Sequence, residues 1–261
     1  MHFANLIAAS RREDDAVHYP SPDEWKQGRT LYGGVSAAYC LHAARTLTDE
    51  KRALRSAMVS FVGPCIEDVT GTAAQLRSGR TAGTVRAELS SSGTPCTEVL
   101  FTFSDMREST LNHKATKRPD VPMPDEIDFR IPTDRLPGFA KMFESVPAGG
   151  GIPMSGSDDL HLLWWARHKA PEARDGELSL LALGDILPPA AMTHMKERAP
   201  ISSMTWIFNM LVDTPTTEDG WWLMEAKGFN AEGGFSSQDM TIWNTQGDMV
   251  AKGAQMVAIF G

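Results

Sequence analysis

Few side chains in this sequence combine a reactive type with a setting that could use it. Asp185 stands just ahead of Ile186-Leu187-Pro188-Pro189. A carboxylate can take a proton from water, best when burial lifts its pKa toward neutrality, yet one beside a proline pair also suits a helix cap or a turn. On residues alone, capping is the preferred reading. Gln255 lies in the apolar run Ala254 to Phe260, where its amide, with a donor and an acceptor, could hold a water or satisfy an edge backbone group. Cys40, Cys65 and Cys96 are odd in number and far apart, with no CxxC pair and no HExxH in the chain. Neither a disulfide framework nor a metal site follows, and buried free thiols are the simpler reading. Gly149-Gly150-Gly151 lacks the GxxxxGKS/T and GxGxxG frames of phosphate cradles and reads as a mobile loop. His113, His161 and His168 have no partner spacing that suggests a metal or a triad.

Positioning any such groups requires rigid elements. Phe3–Ala9 and Asp15–Tyr19 read as short strands. Gly33-Gly34 opens a helix over Val35–Leu47, where Ala37, Ala38, Leu41 and Ala44 recur at helical spacing. Small side chains let that helix lie close against a curved sheet. Val85, Ala87 and Leu89 alternate with Thr84, Arg86 and Glu88, the pattern of an antiparallel strand with one covered face. A second half begins with Phe139–Phe143, continues with an apolar strand Leu160–Ala166, and has a helix near Leu178–Leu187.

Those elements recur. Ser56–Val62, Val69–Leu76, Thr84–Leu89 and Cys96–Phe103 are followed, after the second helix, by Ser203–Leu211, Trp221–Gly228, Phe235–Trp243 and Met249–Phe260, with turns at Ser92-Gly93 and Gln246-Gly247. A long repeat present twice suggests a duplicated domain whose halves pack together. A helix embraced by a curved antiparallel sheet, occurring twice, predicts an α+β double hot-dog: two helix-wrapping sheets joined into one continuous sheet, each closing an edge of the other. The expected division is 1–110, a charged and proline-rich linker at 111–137 that resists helix and strand (Pro119, Pro122, Pro124, Pro132, Pro137), and 138–261. Counting from the turn glycines puts Phe101 where the second copy has Gln255, so one polar site per chain, in the second half, is expected.

Composition narrows the classes. The 261 residues can bury a substantial core. A net charge of -8 argues against nucleic-acid binding, which needs concentrated Lys and Arg. Met1–Ser10 carries only a brief apolar run before Arg11-Arg12, matching neither a secretory signal nor a membrane span, so a cytoplasmic chain is expected.

Arg29-Thr30-Leu31-Tyr32-Gly33-Gly34, Ser60-Phe61-Val62-Gly63-Pro64 and Leu76-Arg77-Ser78-Gly79-Arg80 resemble the first half of the double hot-dog acyl-CoA thioesterases of the thioesterase II type. Leu163-Trp164-Trp165-Ala166-Arg167, Leu181-Ala182-Leu183-Gly184-Asp185 and Val250-Ala251-Lys252-Gly253-Ala254-Gln255 resemble the second. The similarity runs in order through nearly the whole chain apart from the linker. It implies hydrolysis of an acyl-CoA thioester by a water placed among an aspartate, a glutamine and a hydroxyl, without cofactor or metal. Asp185 and Gln255 fall on the family aspartate and glutamine. Aligned on Trp206, the family threonine meets Pro200, and strand alternation makes Ser202 the nearest hydroxyl on that side; Ser203 and Thr205 would face away unless a bulge intervenes. Gly33 and Gly34 are expected at the substrate, with helix-start N–H groups to receive an oxyanion. Arg77 and Arg80, with Lys196 and Arg198, are candidates for the CoA phosphates, and Met192, Met195, Trp206, Phe208 and Met210 for an acyl tunnel. The resemblance also implies a homodimer or larger assembly.

Two other activities fit parts of the pattern. An enoyl-CoA hydratase on this fold would carry a DxNPxH-like pattern, whereas Ala190 stands in place of its histidine. A non-catalytic acyl-CoA binding protein draws its support from the absent threonine at Pro200.

Overall fold

Alternation of the kind seen at Thr84–Leu89, with Val85, Ala87 and Leu89 buried, organises most of the chain into one sheet. The computed structural model describes residues 1–49, 51–114, 116–132 and 136–260; within the expected linker, residues 115 and 133–135 lie outside the described set. The first half comprises helix α1 (Phe3–Ala8), strands β1 (Arg11–Glu13) and β2 (Ala16–Tyr19), a ribbon of β3 (Lys26–Gln27) and β4 (Thr30–Leu31), helix α2 (Gly33–Arg45), and β5 (Ala53–Phe61), β6 (Val69–Ser78), β7 (Ala82–Ser91) and β8 (Thr94–Ser104). The second comprises β9 (Phe143–Gly150), β10 (His161–His168), helix α3 (Gly176–Leu183), β11 (Ile201–Met210), β12 (Trp222–Glu232), β13 (Phe235–Trp243) and β14 (Met249–Ile259).

Among the described residues, twelve strands form a single sheet in the order β1-β2-β6-β7-β8-β5-β11-β14-β13-β12-β10-β9. Outward from the central β5–β11 pair, each half lists its strands in the same relative order, as a duplication requires. The seam is antiparallel, from Thr205 opposite Ser60 to Asn209 opposite Ser56, and the Ser56 hydroxyl donates to Asn209 Oδ1 across it at 2.9 Å. The two halves therefore hide one sheet edge each in the other. This is the double hot-dog arrangement expected from the repeat.

Helix α2 packs on β6, β7 and β8 and also on α3, which in turn lies on β10. Ala37, Ala38, Tyr39, Cys40 and Leu41 are all fully buried, so α2 is enclosed on every side rather than amphipathic. Gly34 permits the tight helix crossing, because a Cβ there would stand 2.2 Å from the Ala182 carbonyl oxygen. At the far end of α2, Arg45 forms a bidentate pair with Glu177 at the start of α3 (Nη2 to Oε2, 2.6 Å), a planar fork well suited to a partly buried site.

Three local expectations need correction. Phe3–Ala8 is a helix, since Phe3 and Leu6, three residues apart, are its buried side chains. Gly149 and Gly150 belong to the edge strand β9 instead of a mobile loop; a Cβ on Gly150 would meet the His161 carbonyl oxygen at 2.4 Å, so glycine allows the close strand pairing. The second helix ends at Leu183 rather than Leu187, because the Pro188-Pro189 pair ahead disfavours helix in the approach to it. Among its described residues the linker avoids long elements, with a short 3-10 turn at Pro124–Glu126, but it is packed. Val121, Met123 and Ile127 lie against a small core around Trp165, whose indole N–H donates to the Pro122 carbonyl at 2.9 Å.

Candidate active site

The early end of α3 places Asp185 just beyond the helix, where it caps neither end of its own element. It faces the start of α2 instead. A Cβ on Gly33 would stand 2.6 Å from Asp185 Oδ2 and 3.0 Å from the Phe61 ring, so only glycine leaves room for the carboxylate. The N-terminus of α2 brings partial positive charge there. Capping, the preferred reading on residues alone, is thus half right: an anionic side chain does meet a helix N-terminus, but that of the other half's helix.

Gln255, on β14, ties this carboxylate to the sheet. Its Nε2 donates to Asp185 Oδ1 at 2.8 Å and to Ser203 Oγ at 2.9 Å. Its Oε1 accepts from Gln238 Nε2 at 2.9 Å, and Gln238 Oε1 accepts the Ala190 backbone N–H at 2.6 Å. Gln238 and Gln255 are both buried, and these bonds satisfy amides that would otherwise be expensive to enclose. Burial pushes the Asp185 carboxyl up to about 7, against the opposing pull of the Gln255 amide and the Gly34 backbone amide. The phenol of Tyr32 is likewise raised by burial first and by the Asp185 charge second.

The expected hydroxyl is replaced by its neighbour. Ser202 is exposed, and its Oγ bonds only the Ser203 carbonyl, at 3.4 Å. A bulge interrupts the β11–β14 register between Ser203 and Thr205. The extra residue, Met204, shifts the alternation by one, so Ser203 turns inward and Ser202 outward. The condition attached to Ser203 at the sequence level, an intervening bulge, is met.

Arg77 and Arg80 do not join the cluster. Both are exposed, Arg77 on β6 opposite Thr84 and Arg80 in the following turn. Five strand spacings separate β6 from β14, about 24 Å along the sheet. Lys196 and Arg198 lie exposed in the segment leading into β11. Of the proposed tunnel residues, Trp206, Phe208 and Met210 are packed in the core, and the cavity beside Gly184 that Trp206 and Phe208 line is about 10 Å³, room for one water. Met192 is partly buried.

A matching bulge lies between Leu54 and Ser56 in β5. Aligning the bulges puts Leu54 on Ser203 and Ala57 on Trp206. Cross-strand partners then put Phe101 on Gln255 and Val85 on Gln238. The correspondence of Phe101 with Gln255 is the one reached by counting from the turn glycines. The first half is apolar at each of these positions. Gln238 escaped sequence reasoning, although a polar residue in phase with Met240 and Ile242, both buried, was a legible signal.

Among the described residues, no group of three or more His, Cys, Asp or Glu side chains could hold a metal ion, and no helix is long and apolar enough to cross a membrane. Cys40, Cys65 and Cys96 are buried free thiols.

Residues 21–104 match the family model of the acyl-CoA thioesterase N-terminal domain, and residues 115–259 that of the C-terminal domain. No curated protein matches this chain in sequence. A conserved protein of unknown function with a hot-dog fold from Alicyclobacillus acidocaldarius superposes with a TM-score of 0.89 at 21% identity, over 100% of this chain and 99% of that one. A tesB protein of Mycobacterium avium subspecies paratuberculosis gives 0.80 at 15% identity, covering 99% of each chain. The acyl-CoA thioesterase II TesB2 of Mycobacterium marinum gives 0.77 at 18% identity, covering 98% of each. At such identities these likenesses are likenesses of fold.

Proposed function

This chain belongs to the acyl-CoA thioesterase family, and we propose that it hydrolyses an acyl-CoA thioester to the free acid and CoA, with Asp185 as general base. The observation that carries this reading is a half-buried carboxyl pushed up to about 7, bonded through Gln255 to Ser203 and set against the start of α2. Ionised Asp185 takes a proton from water as the oxygen attacks the thioester carbonyl. Ser203 accepts from Gln255, so its own hydroxyl proton is left to orient that water. Gln255 has committed both amide protons and acts by holding the carboxylate and the hydroxyl together. First-turn N–H groups of α2 other than that of Gly34, which serves Asp185, receive the charge growing on the carbonyl oxygen. Collapse of the tetrahedral intermediate breaks the C–S bond, and the proton held by Asp185 returns to the leaving thiolate.

Ser203 supplies the hydroxyl whose absence at Pro200 favoured binding without turnover. A hydratase would need a histidine where Ala190 stands, and the Ala190 N–H is engaged by Gln238. A cytoplasmic homodimer or larger assembly belongs to the same proposal, on the strength of the family. The test is thiol release over short, medium, long, branched and aromatic acyl-CoAs. Turnover of at least one class is expected. Tight binding of every class without free thiol would replace the reading by acyl-CoA binding, and crotonyl-CoA hydration without cleavage would replace it by hydration.

A further inference from the structure

We propose that Gln238 is a positioning residue that fixes which way the Gln255 amide faces, keeping an N–H rather than a carbonyl oxygen against Asp185. The inference rests on the thioesterase reading for its consequence in turnover, but its structural content is separate.

The two ends of a glutamine amide are nearly the same shape, so only hydrogen bonds choose between its orientations. Ser203 does not choose, because a hydroxyl can accept or donate. Asp185 chooses only when ionised; once protonated it can donate to a flipped Gln255 Oε1, and that flipped state would trap the base in its acid form. Gln238 breaks the tie. The Ala190 backbone N–H can only donate, so Gln238 must turn its Oε1 toward Ala190 and its NH2 toward Gln255. Gln255 Oε1 is then drawn to Gln238, and its NH2 is left for Asp185 and Ser203. Orientation thus passes from a main-chain group, which cannot flip, through two side chains to the carboxylate.

The duplicated half indicates that packing alone does not require this pair. Val85 and Phe101 occupy the equivalent positions there and are fully buried, so the fold accepts an apolar pair at this row of the sheet. Two enclosed amides are worse for packing than Val and Phe unless their bonds serve something else. Around Asp185, α2 presents Gly33 and Gly34, β5 presents Phe61 and β14 presents Gln255, and Tyr32, just before α2, is the titratable group that feels the Asp185 charge.

The experiment compares Gln238→Met with the wild type, following the Asp185 carboxyl by carbon NMR across pH and, in parallel, kcat/KM across pH. With the amide constraint gone, the flipped state stabilises protonated Asp185. Its titration midpoint should rise by about half to one unit, and kcat/KM at pH 7 should fall about two- to fivefold. In a Gln255→Met background, Gln238→Met should move the midpoint no further, because its action runs through Gln255. Ser236→Ala, a buried substitution two residues along the same face, should leave the midpoint in place. Gln238→Val, which installs the residue type of the first half, serves if the methionine variant does not fold. An unchanged Asp185 midpoint in a folded Gln238 variant overturns the proposal, as does an equal shift without Gln255. If the wild type turns over no acyl-CoA, the thioesterase reading fails while the NMR titration still decides the role of Gln238.

Discussion

Replacing Asp185 by asparagine separates stability from turnover in a way that only a desolvated catalytic carboxyl should. The carboxyl is pushed from an ordinary 3.8 to about 7, with burial as the largest cause. The folded protein therefore keeps a proton that the unfolded chain gives up, and the associated stability is fully present below about pH 4 and lost as pH rises through about 7. Three units at about 1.4 kcal/mol each set an upper bound of about 4 kcal/mol. Asp185 retains some exposure to solvent, which screens the charge, and about 2 kcal/mol is the expected loss. Asparagine keeps the shape, can still accept from Gln255 and has no proton to lose. Asp185→Asn should thus gain about 1 kcal/mol on the wild type between pH 5 and pH 8, read as a relative rise of about 2–4 °C in melting temperature. Over the same range its thiol release should fall by about 10²- to 10⁴-fold, the usual contribution of a general base. Melting at pH 5, 6.5 and 8, with acyl-CoA turnover on the same samples, provides the assay. A melting difference that does not change with pH would refute the desolvation argument. Near-normal turnover by the folded variant would refute the mechanism.

Two further outcomes follow from the geometry. Ser203→Ala should lower kcat by about tenfold or more through loss of the hydroxyl beside Gln255, whereas Ser202→Ala should leave it unchanged; equal effects would mean that the bulge does not set the inward face. Gly33→Ala places a methyl 2.6 Å from Asp185 Oδ2, so α2 or the carboxylate must move. Urea unfolding should report about 1–3 kcal/mol of destabilisation, and thiol release should drop steeply, while a fully active and stable variant would mean that the two segments are not held this close.

Much of the architecture was legible in the residues because it depends on local periodicity and on repetition. Strand alternation at Thr84–Leu89, small residues at helical spacing in α2, and two ordered copies of a four-strand run are properties of short windows. They led to the double hot-dog, while it was the family resemblance that singled out Asp185 and Gln255 in the second half. Errors gathered where one residue changes the phase or where a distant segment decides. Short apolar segments such as Phe3–Ala8 fit either period, and the glycines of β9 read as a loop until the approach of His161 gave them a reason. Ser202 and Ser203 were exchanged because a bulge is a property of pairing with β14.

What the sequence by itself determined is the duplication and the polar residues that break it, since covalent order and side-chain pattern are both written in one dimension. Only the tertiary structure decided that Asp185 meets the start of the other half's helix, that Ser203 rather than Ser202 reaches Gln255, and that Gln238 links Gln255 to the Ala190 backbone. Those relations join groups from 17 to about 150 residues apart, and desolvation and hydrogen-bond direction act through space rather than along the chain.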